Sequence, residues 1–341
     1  FDTVAECEVE IAPDNPFLAT DGVALFDKSC SVLLSTFRSV SSYRVPDSCK
    51  IISDSSFKGM STLEEIDLGH GVERIGSYAF FRTSVSSLSC PNTLKEIGAK
   101  SFALSKLRRI EFNSGLSRIG EQAFARTDLR DFSMPFALEY MGAKAFWHTG
   151  IDFSSQNPSL SESSNSYLAV INGCLYRKSY SGLFLLEYLA NEKECRIEPG
   201  TIEICEQAFE RSNNLTSVLI PESVKVIGNA AFRACPKLEY VRLPNDLQSI
   251  GDEAFFGTAL HTIYIGRSLN CVGANAFEFA GDSRNGRKAK LDQITVDQSN
   301  ERFYSQNGML IERRDDGDYV LLHDGRTSCV RIPDAVVAVC D

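Results

Sequence analysis

Ile119-Gly120-Glu121-Gln122-Ala123-Phe124 decides how this chain is read, because it keeps coming back. Ile75-Gly76-Ser77-Tyr78-Ala79-Phe80, Ile97-Gly98-Ala99-Lys100-Ser101-Phe102 and Met141-Gly142-Ala143-Lys144-Ala145-Phe146 are copies. After a gap come Ile204-Cys205-Glu206-Gln207-Ala208-Phe209, Ile227-Gly228-Asn229-Ala230-Ala231-Phe232, Ile250-Gly251-Asp252-Glu253-Ala254-Phe255 and Val272-Gly273-Ala274-Asn275-Ala276-Phe277. A degenerate copy ends at Phe57, with Ser53 in the glycine slot. The anchor phenylalanines are spaced by 23, 22, 22 and 22 residues, then 63, then 23, 23 and 22. A fixed short period means stacked coils, in which no unit buries its apolar face alone and each is stabilised by its neighbours.

Between anchors a second pattern repeats. Leu63-x-x-Ile66-x-Leu68 returns as Val85-x-x-Leu88-x-Cys90, Leu107-x-x-Ile110-x-Phe112 and Leu129-x-x-Phe132-x-Met134. The second run has Leu215-x-x-Val218-x-Ile220, Leu238-x-x-Val241-x-Leu243, Leu260-x-x-Ile263-x-Ile265 and Leu291-x-x-Ile294-x-Val296. Alternate side chains of an extended segment point to opposite faces, so the apolar tail residues go inward and those between go outward. Stacking predicts one parallel sheet of these strands, ended by Pro91, Pro135, Pro221 and Pro244, which have no N–H to give. The glycine before the helical-looking Ala-Phe turn is expected to supply a backbone conformation that other residues would strain. Phe then plugs the interior. The small residue three places on (Thr83, Ser105, Thr127, Thr149, Ser212, Cys235 or Thr258) suits a ladder bonded to nearby backbone in a tight bend.

A longer period overlies the short one. Asn15-Pro16-Phe17-Leu18, Asp21-Gly22-Val23-Ala24-Leu25-Phe26, Ser31-Val32-Leu33-Leu34 and Tyr43-Arg44-Val45-Pro46 read as strands of a hairpin insert. The order repeats from Asn157-Pro158 through Asn172-Gly173-Cys174-Leu175-Tyr176 to Ile197-Glu198-Pro199, and from Asn300 through Asn307-Gly308-Met309-Leu310-Ile311 to Ile332-Pro333. The predicted organisation is an N-terminal insert with a degenerate repeat at 1–56 and a first run of repeats at 57–156. A second insert at 157–196, a second run at 197–296 and a third insert with a truncated repeat at 297–341 complete it.

Composition narrows function. Of 341 residues 43% are hydrophobic and 23% charged, as in ordinary folded proteins. A net charge of −10 argues against nucleic acid or an anionic membrane as partner. No apolar run approaches the roughly 18 residues of a membrane-spanning helix. The chain begins at Phe1 without Met and stops in mid-repeat at Cys340-Asp341, which reads as a piece of a longer protein. Eleven cysteines without a C-x-x-C read as small buried hydrophobes, several of them in repeat slots otherwise held by small residues.

No catalytic or cofactor constellation is found. Gly281-Asp282-Ser283-Arg284-Asn285-Gly286-Arg287-Lys288 resembles a phosphate loop, but Arg287 intervenes and Ala289 follows Lys288. His70, His148, His261 and His323 are dispersed and have no zinc-ligand spacing. Asp315-Asp316-Gly317-Asp318 lacks alternating oxygen ligands for calcium and reads as a hairpin turn. Asn214-Leu215-Thr216 is a single glycosylation sequon whose Leu215 is a core position. No catalytic, cofactor or metal residue is assigned.

The repeat L-x-x-I-x-[IL]-P-x-x-[LV]-x-x-I-G-x-x-A-F-x-x-[CTS], together with the hairpin inserts, resembles the BspA-type leucine-rich repeat over nearly all of 15–341. The resemblance implies a curved leucine-rich-repeat solenoid with short parallel β-strands and β-hairpin inserts. It also implies surface proteins of bacteria and parasitic protists, several of them adhesins for host matrix proteins or cells, and no shared catalytic residues. Ser53, Cys205 and Cys340 in the glycine slot and the insert at 281–290 depart from the pattern. Among outward strand positions, Glu65, Asp67, Ser87, Ser89, Arg109, Glu111, Asp131 and Ser133 of the first run are small or charged. The second run instead carries Leu219, Tyr240, Arg242 and Tyr264 on neighbouring rungs, and Tyr and Arg dominate protein interfaces. These four are the candidate protein-binding surface of a non-catalytic module at the cell surface or secreted. The competing expectation is a cytoplasmic scaffold.

Overall fold

A computed structural model describes residues 9–12, 14–131, 133–153, 165–278, 293–306, 309–323 and 336–339. The chain forms two units, Phe1–Ala169 and Val170–Asp341.

In the first unit the antiparallel strands Leu18–Thr20, Ala24–Asp27 and Val32–Thr36 begin an eight-stranded sheet. The two-residue parallel strands Ile51–Ile52, Arg74–Ile75, Glu96–Ile97, Arg118–Ile119 and Tyr140–Met141 continue it, one per coil. A separate parallel ladder pairs Ser42–Arg44 with Glu65–Asp67, and Ser87–Ser89 with Arg109–Glu111. The second unit repeats this. Cys174–Ser179 and Gly182–Tyr188 lead into Thr201–Ile204, Val226–Ile227, Ser249–Ile250 and Cys271–Val272. Its other ladder runs through Glu194–Arg196, Ser217–Leu219 and Tyr240–Arg242, and pairs Thr262–Ile265 with Gln293–Val296. Phe303–Gln306, Met309–Arg314, Gly317–His323 and Val336–Val339 form a further sheet, with Asp315-Asp316 as its expected tight turn. Two kinds of ladder thus run along the coils where one was expected, because the apolar pair leading to the anchor is itself extended.

A third set of backbone bonds lies on the anchor side. The Phe57, Phe80, Phe102 and Phe124 amides donate to Ala79, Ser101, Ala123 and Ala145 carbonyls of the next coil at 2.7–2.8 Å. Among the described residues this side is made of turns, with no α-helix. The anchors form two buried stacks. Phe57, Phe80, Phe102, Phe124 and Phe146 follow one another at 5.0–5.6 Å between ring centroids, with planes within 13°. Tyr188 followed by the anchors Phe209, Phe232, Phe255 and Phe277 makes the other, at 4.7–5.4 Å with planes within 27°. Offset stacked rings contribute beyond the area they bury, so each anchor holds two interfaces at once. Thr83, Thr127, Thr149 and Thr258 donate to the carbonyl of their own anchor at 2.8–2.9 Å, the predicted bend ladder. Ser105 has no such partner, and Cys235 reaches back to Phe209 O at 3.0 Å.

The glycine expectation is corrected. Within the repeated stretch the left-handed position is two places after the slot, at Tyr78, Lys100, Gln122, Lys144, Gln207, Ala230, Glu253 and Asn275, and not the slot itself. The glycine is required by close approach instead: a Cβ on Gly98 would lie 2.6 Å from the Gly76 carbonyl carbon and the Ser77 nitrogen. Gly120, Gly142, Gly251 and Gly273 meet the preceding coil the same way. Ser53 and Cys205 stand in the first coil after a hairpin, with no preceding slot residue beneath them, and there a side chain fits. Cys340 lies outside the described residues.

Two further expectations change. Tyr43 and Cys195 belong to first rungs of the outer ladders, paired parallel with Ile66 and Val218, and are not hairpin strands. Asp131 and Ser133 lie in no strand. Ahead of the strand Leu168–Ile171, Asn165 Oδ1 accepts the Tyr167 and Leu168 amides and its Nδ2 donates to the Pro135 and Leu138 carbonyls. Asn300 makes the equivalent four bonds, while Asn157 lies outside the described residues.

Candidate protein-binding face

The four sequence-predicted residues come together on the outer ladder of the second unit. Register places Glu194, Ser217 and Tyr240 in one outward row, and Arg196, Leu219 and Arg242 in the next. Thr262–Ile265 lies alongside Tyr240–Arg242 and pairs Tyr264 with Thr295. Rungs of a sheet are about 4.8 Å apart, so neighbours in a row can touch one partner together. The alternation between inward Val218, Val241 and Ile263 and these residues follows from the two-residue strand period. Tyr240 is 67%, Leu219 53% and Tyr264 41% exposed, against a coil interior in which the anchors are sealed.

Two of the four are held in place. Tyr264 donates its hydroxyl to Asp297 Oδ2 at 2.7 Å. The Asp297 carboxylate also accepts the Ser299 hydroxyl and amide, and those bonds hold it down at about 2. The same tyrosine is pushed up from its ordinary value, first by its bond to Asp297. Arg242 reaches Glu222 Oε1 at 3.2 Å, and Glu222 Oε2 accepts the Asn245 amide. Tethered side chains lose less freedom when a partner binds. Sequence reasoning missed Arg196, because its segment was assigned to the insert. The run Glu194-Cys195-Arg196-Ile197 before Pro199 already had the outward-inward alternation of a rung.

The matching face of the first unit is different in kind. Ser42 pairs with Glu65 and Arg44 with Asp67, Ser87 pairs with Arg109 and Ser89 with Glu111, and Glu65–Asp67 lies alongside Ser87–Ser89. Four of its five charged side chains pair with one another, Arg44 with Asp67 at 3.4 Å and Arg109 with Glu111 at 2.8 Å. Such exposed pairs are worth little and offer no apolar anchor.

Among the described residues, no three His, Cys, Asp or Glu are grouped to hold a metal, and no helix is long and apolar enough to cross a membrane. The phosphate-loop-like stretch at 281–288 lies outside the described residues. Asn214 is tied to Asn191 and Lys237 side chains, and Leu215 is buried as expected.

Comparison with known proteins agrees with this architecture. Residues 34–152 and 186–284 match the family model for the BspA type leucine rich repeat region, in six copies. The pneumococcal vaccine antigen PcpA superposes with a TM-score of 0.63 at 24% identity, covering 83% of this chain and 71% of that one. A leucine rich cell surface protein from Faecalibacterium prausnitzii A2-165 does so with a TM-score of 0.53 at 18% identity, covering 78% and 86%. At these identities the likeness is one of fold. A comparison with curated proteins gives no significant match.

Proposed function

The chain belongs to the BspA-type leucine-rich-repeat family, and from that premise we propose that it is a non-catalytic protein-binding module. In this reading it is part of a cell-surface adhesin or receptor-like protein that contacts host or matrix proteins through the outer ladder of its second unit. The observation that carries the reading is the juxtaposition of exposed Leu219, Tyr240 and Tyr264 with Arg242 on adjacent rungs. Large aromatic and guanidinium groups on a rigid sheet are the residue types that concentrate binding energy. The surface assignment is supported by the family and by the structural likeness to the Faecalibacterium prausnitzii cell surface protein.

The test is binding of the purified chain to immobilised extracellular-matrix proteins and to host cells. Tyr240→Ala and Tyr264→Ala should each weaken binding at least tenfold, and Glu65→Ala on the first unit should leave it unchanged. Absence of binding at micromolar concentration, or equal loss from all three variants, sinks the proposal. The competing reading, an intracellular scaffold, draws on eight described cysteines all being free thiols. Locating the full-length protein in its cell separates the two.

A further inference from the structure

Cys174 and Cys195 sit on different ladders of the second unit and meet in its core. Cys174 begins the hairpin strand Cys174–Ser179, and Cys195 is the inward residue of the rung Glu194–Arg196. Their sulfurs are 3.5 Å apart, with Cys174 fully buried and Cys195 4% exposed. The first unit shows what ordinarily fills this space. Both hairpins carry an irregularity at the same step, after Leu25 and after Leu175, which aligns Cys174 with Ala24. The parallel pairings align Cys195 with Tyr43. The equivalent positions hold a small and a large side chain in one insert, and two thiols in the other. Among the described residues this is the one cysteine pair at sulfur contact.

We propose that Cys174 and Cys195 are a modification site: a dithiol that closes to a disulfide when the protein matures in the presence of a small-molecule disulfide such as glutathione disulfide, stapling the hairpin insert to the first rung of the second ladder. The sulfurs have to approach from 3.5 Å to about 2.05 Å, a movement we assign to side-chain rotation. Cys195, the less enclosed, reacts first. Its thiolate attacks one sulfur of the small disulfide, whose S–S bond breaks and expels one glutathione thiolate. The Cys174 thiolate then attacks the Cys195 sulfur of the mixed disulfide and expels the second. Two electrons pass from the protein thiols to the oxidant, and the two protons leave with the glutathione thiols. Burial pushes the Cys174 thiol well up from its ordinary value, so exchange is expected before the hairpin closes over it or while it loosens. The inference rests on the hairpin geometry alone and stands whether or not the outer ladder binds a partner.

The experiment refolds the reduced chain with and without glutathione disulfide, quenches with N-ethylmaleimide under denaturing conditions, and maps linked peptides by mass spectrometry. The expected result is a Cys174–Cys195 peptide 2 Da below the sum of its parts, and a midpoint of thermal unfolding about 5 °C above the reduced protein. Cys174→Ala, which installs the residue found at Ala24, should fold and lose that rise, and Cys195→Ala provides a second check. Failure of the linked peptide to form while exposed Cys271 takes up glutathione overturns the proposal. So does a linked protein that melts below the reduced one, because the bond would then be foreign to the native geometry.

Discussion

Gly98→Ala should damage this protein far more than one methyl group usually does, and Cys205→Ala in the equivalent slot should not. The added Cβ at position 98 would lie 2.6 Å from two backbone atoms of the coil before it, and an ordinary contact of 3.4 Å needs about 0.8 Å more room. Those atoms are backbone, so no side chain can swing aside, and the coils themselves must part. Parting strains the Gly98 amide bond to Ile75 O, now 2.8 Å, and the neighbouring ladder bonds. Overpacking typically costs about 1–3 kcal/mol and a weakened ladder bond about 1 kcal/mol, less a few tenths for stiffening the unfolded chain. The expected loss is roughly 2–4 kcal/mol, or about 5–15 °C in the unfolding midpoint. Cys205 already carries a Cβ in that slot, so its alanine variant should stay within about 1 kcal/mol of the parent. Urea and thermal unfolding of both variants decide the matter. A Gly98→Ala protein as stable as the parent, or a Cys205→Ala protein equally damaged, would refute the close-approach account of the repeat.

Ser101→Ala should stabilise by about 1 kcal/mol in urea unfolding, because its hydroxyl is buried without a partner in a column otherwise held mostly by alanine. Asn300→Ala should cost about 3 kcal/mol or more in the same assay, since it strands four hydrogen bonds in a buried site. Asp27 is held at about 2, first by the Ser29 hydroxyl and then by the Val32 amide, and Asp297 at about 2 by the Ser299 hydroxyl and amide. Both are depressed in the folded state, so their stabilisation is present above the unfolded value near 4 and disappears as pH falls toward 2. The unfolding midpoint should therefore drop over that window, and Asp27→Asn with Asp297→Asn should flatten the drop.

What the sequence made legible was whatever has a period. The anchors from Phe57 to Phe277 are inward because a repeating apolar column has one place to go, and Leu219, Tyr240 and Tyr264 are outward because strand alternation leaves them no other. The glycine column was read for the wrong reason. Its recurrence is visible, but only the distance from Gly98 to the coil before it separates a demand for space from a demand for left-handed backbone. The same distance explains why Ser53 and Cys205 break the pattern: they begin their stacks, so the irregular letters mark boundaries of the array. Arg196 escaped because a rung at the edge of an array has only one repeat neighbour from which to infer its register. The Cys174–Cys195 contact escaped for the complementary reason, since it joins two columns and a period reports on one column at a time. The periodic part of such a chain therefore builds the scaffold. Its distinctive chemistry is to be sought where a column changes residue type, as at Tyr240, or where two columns cross.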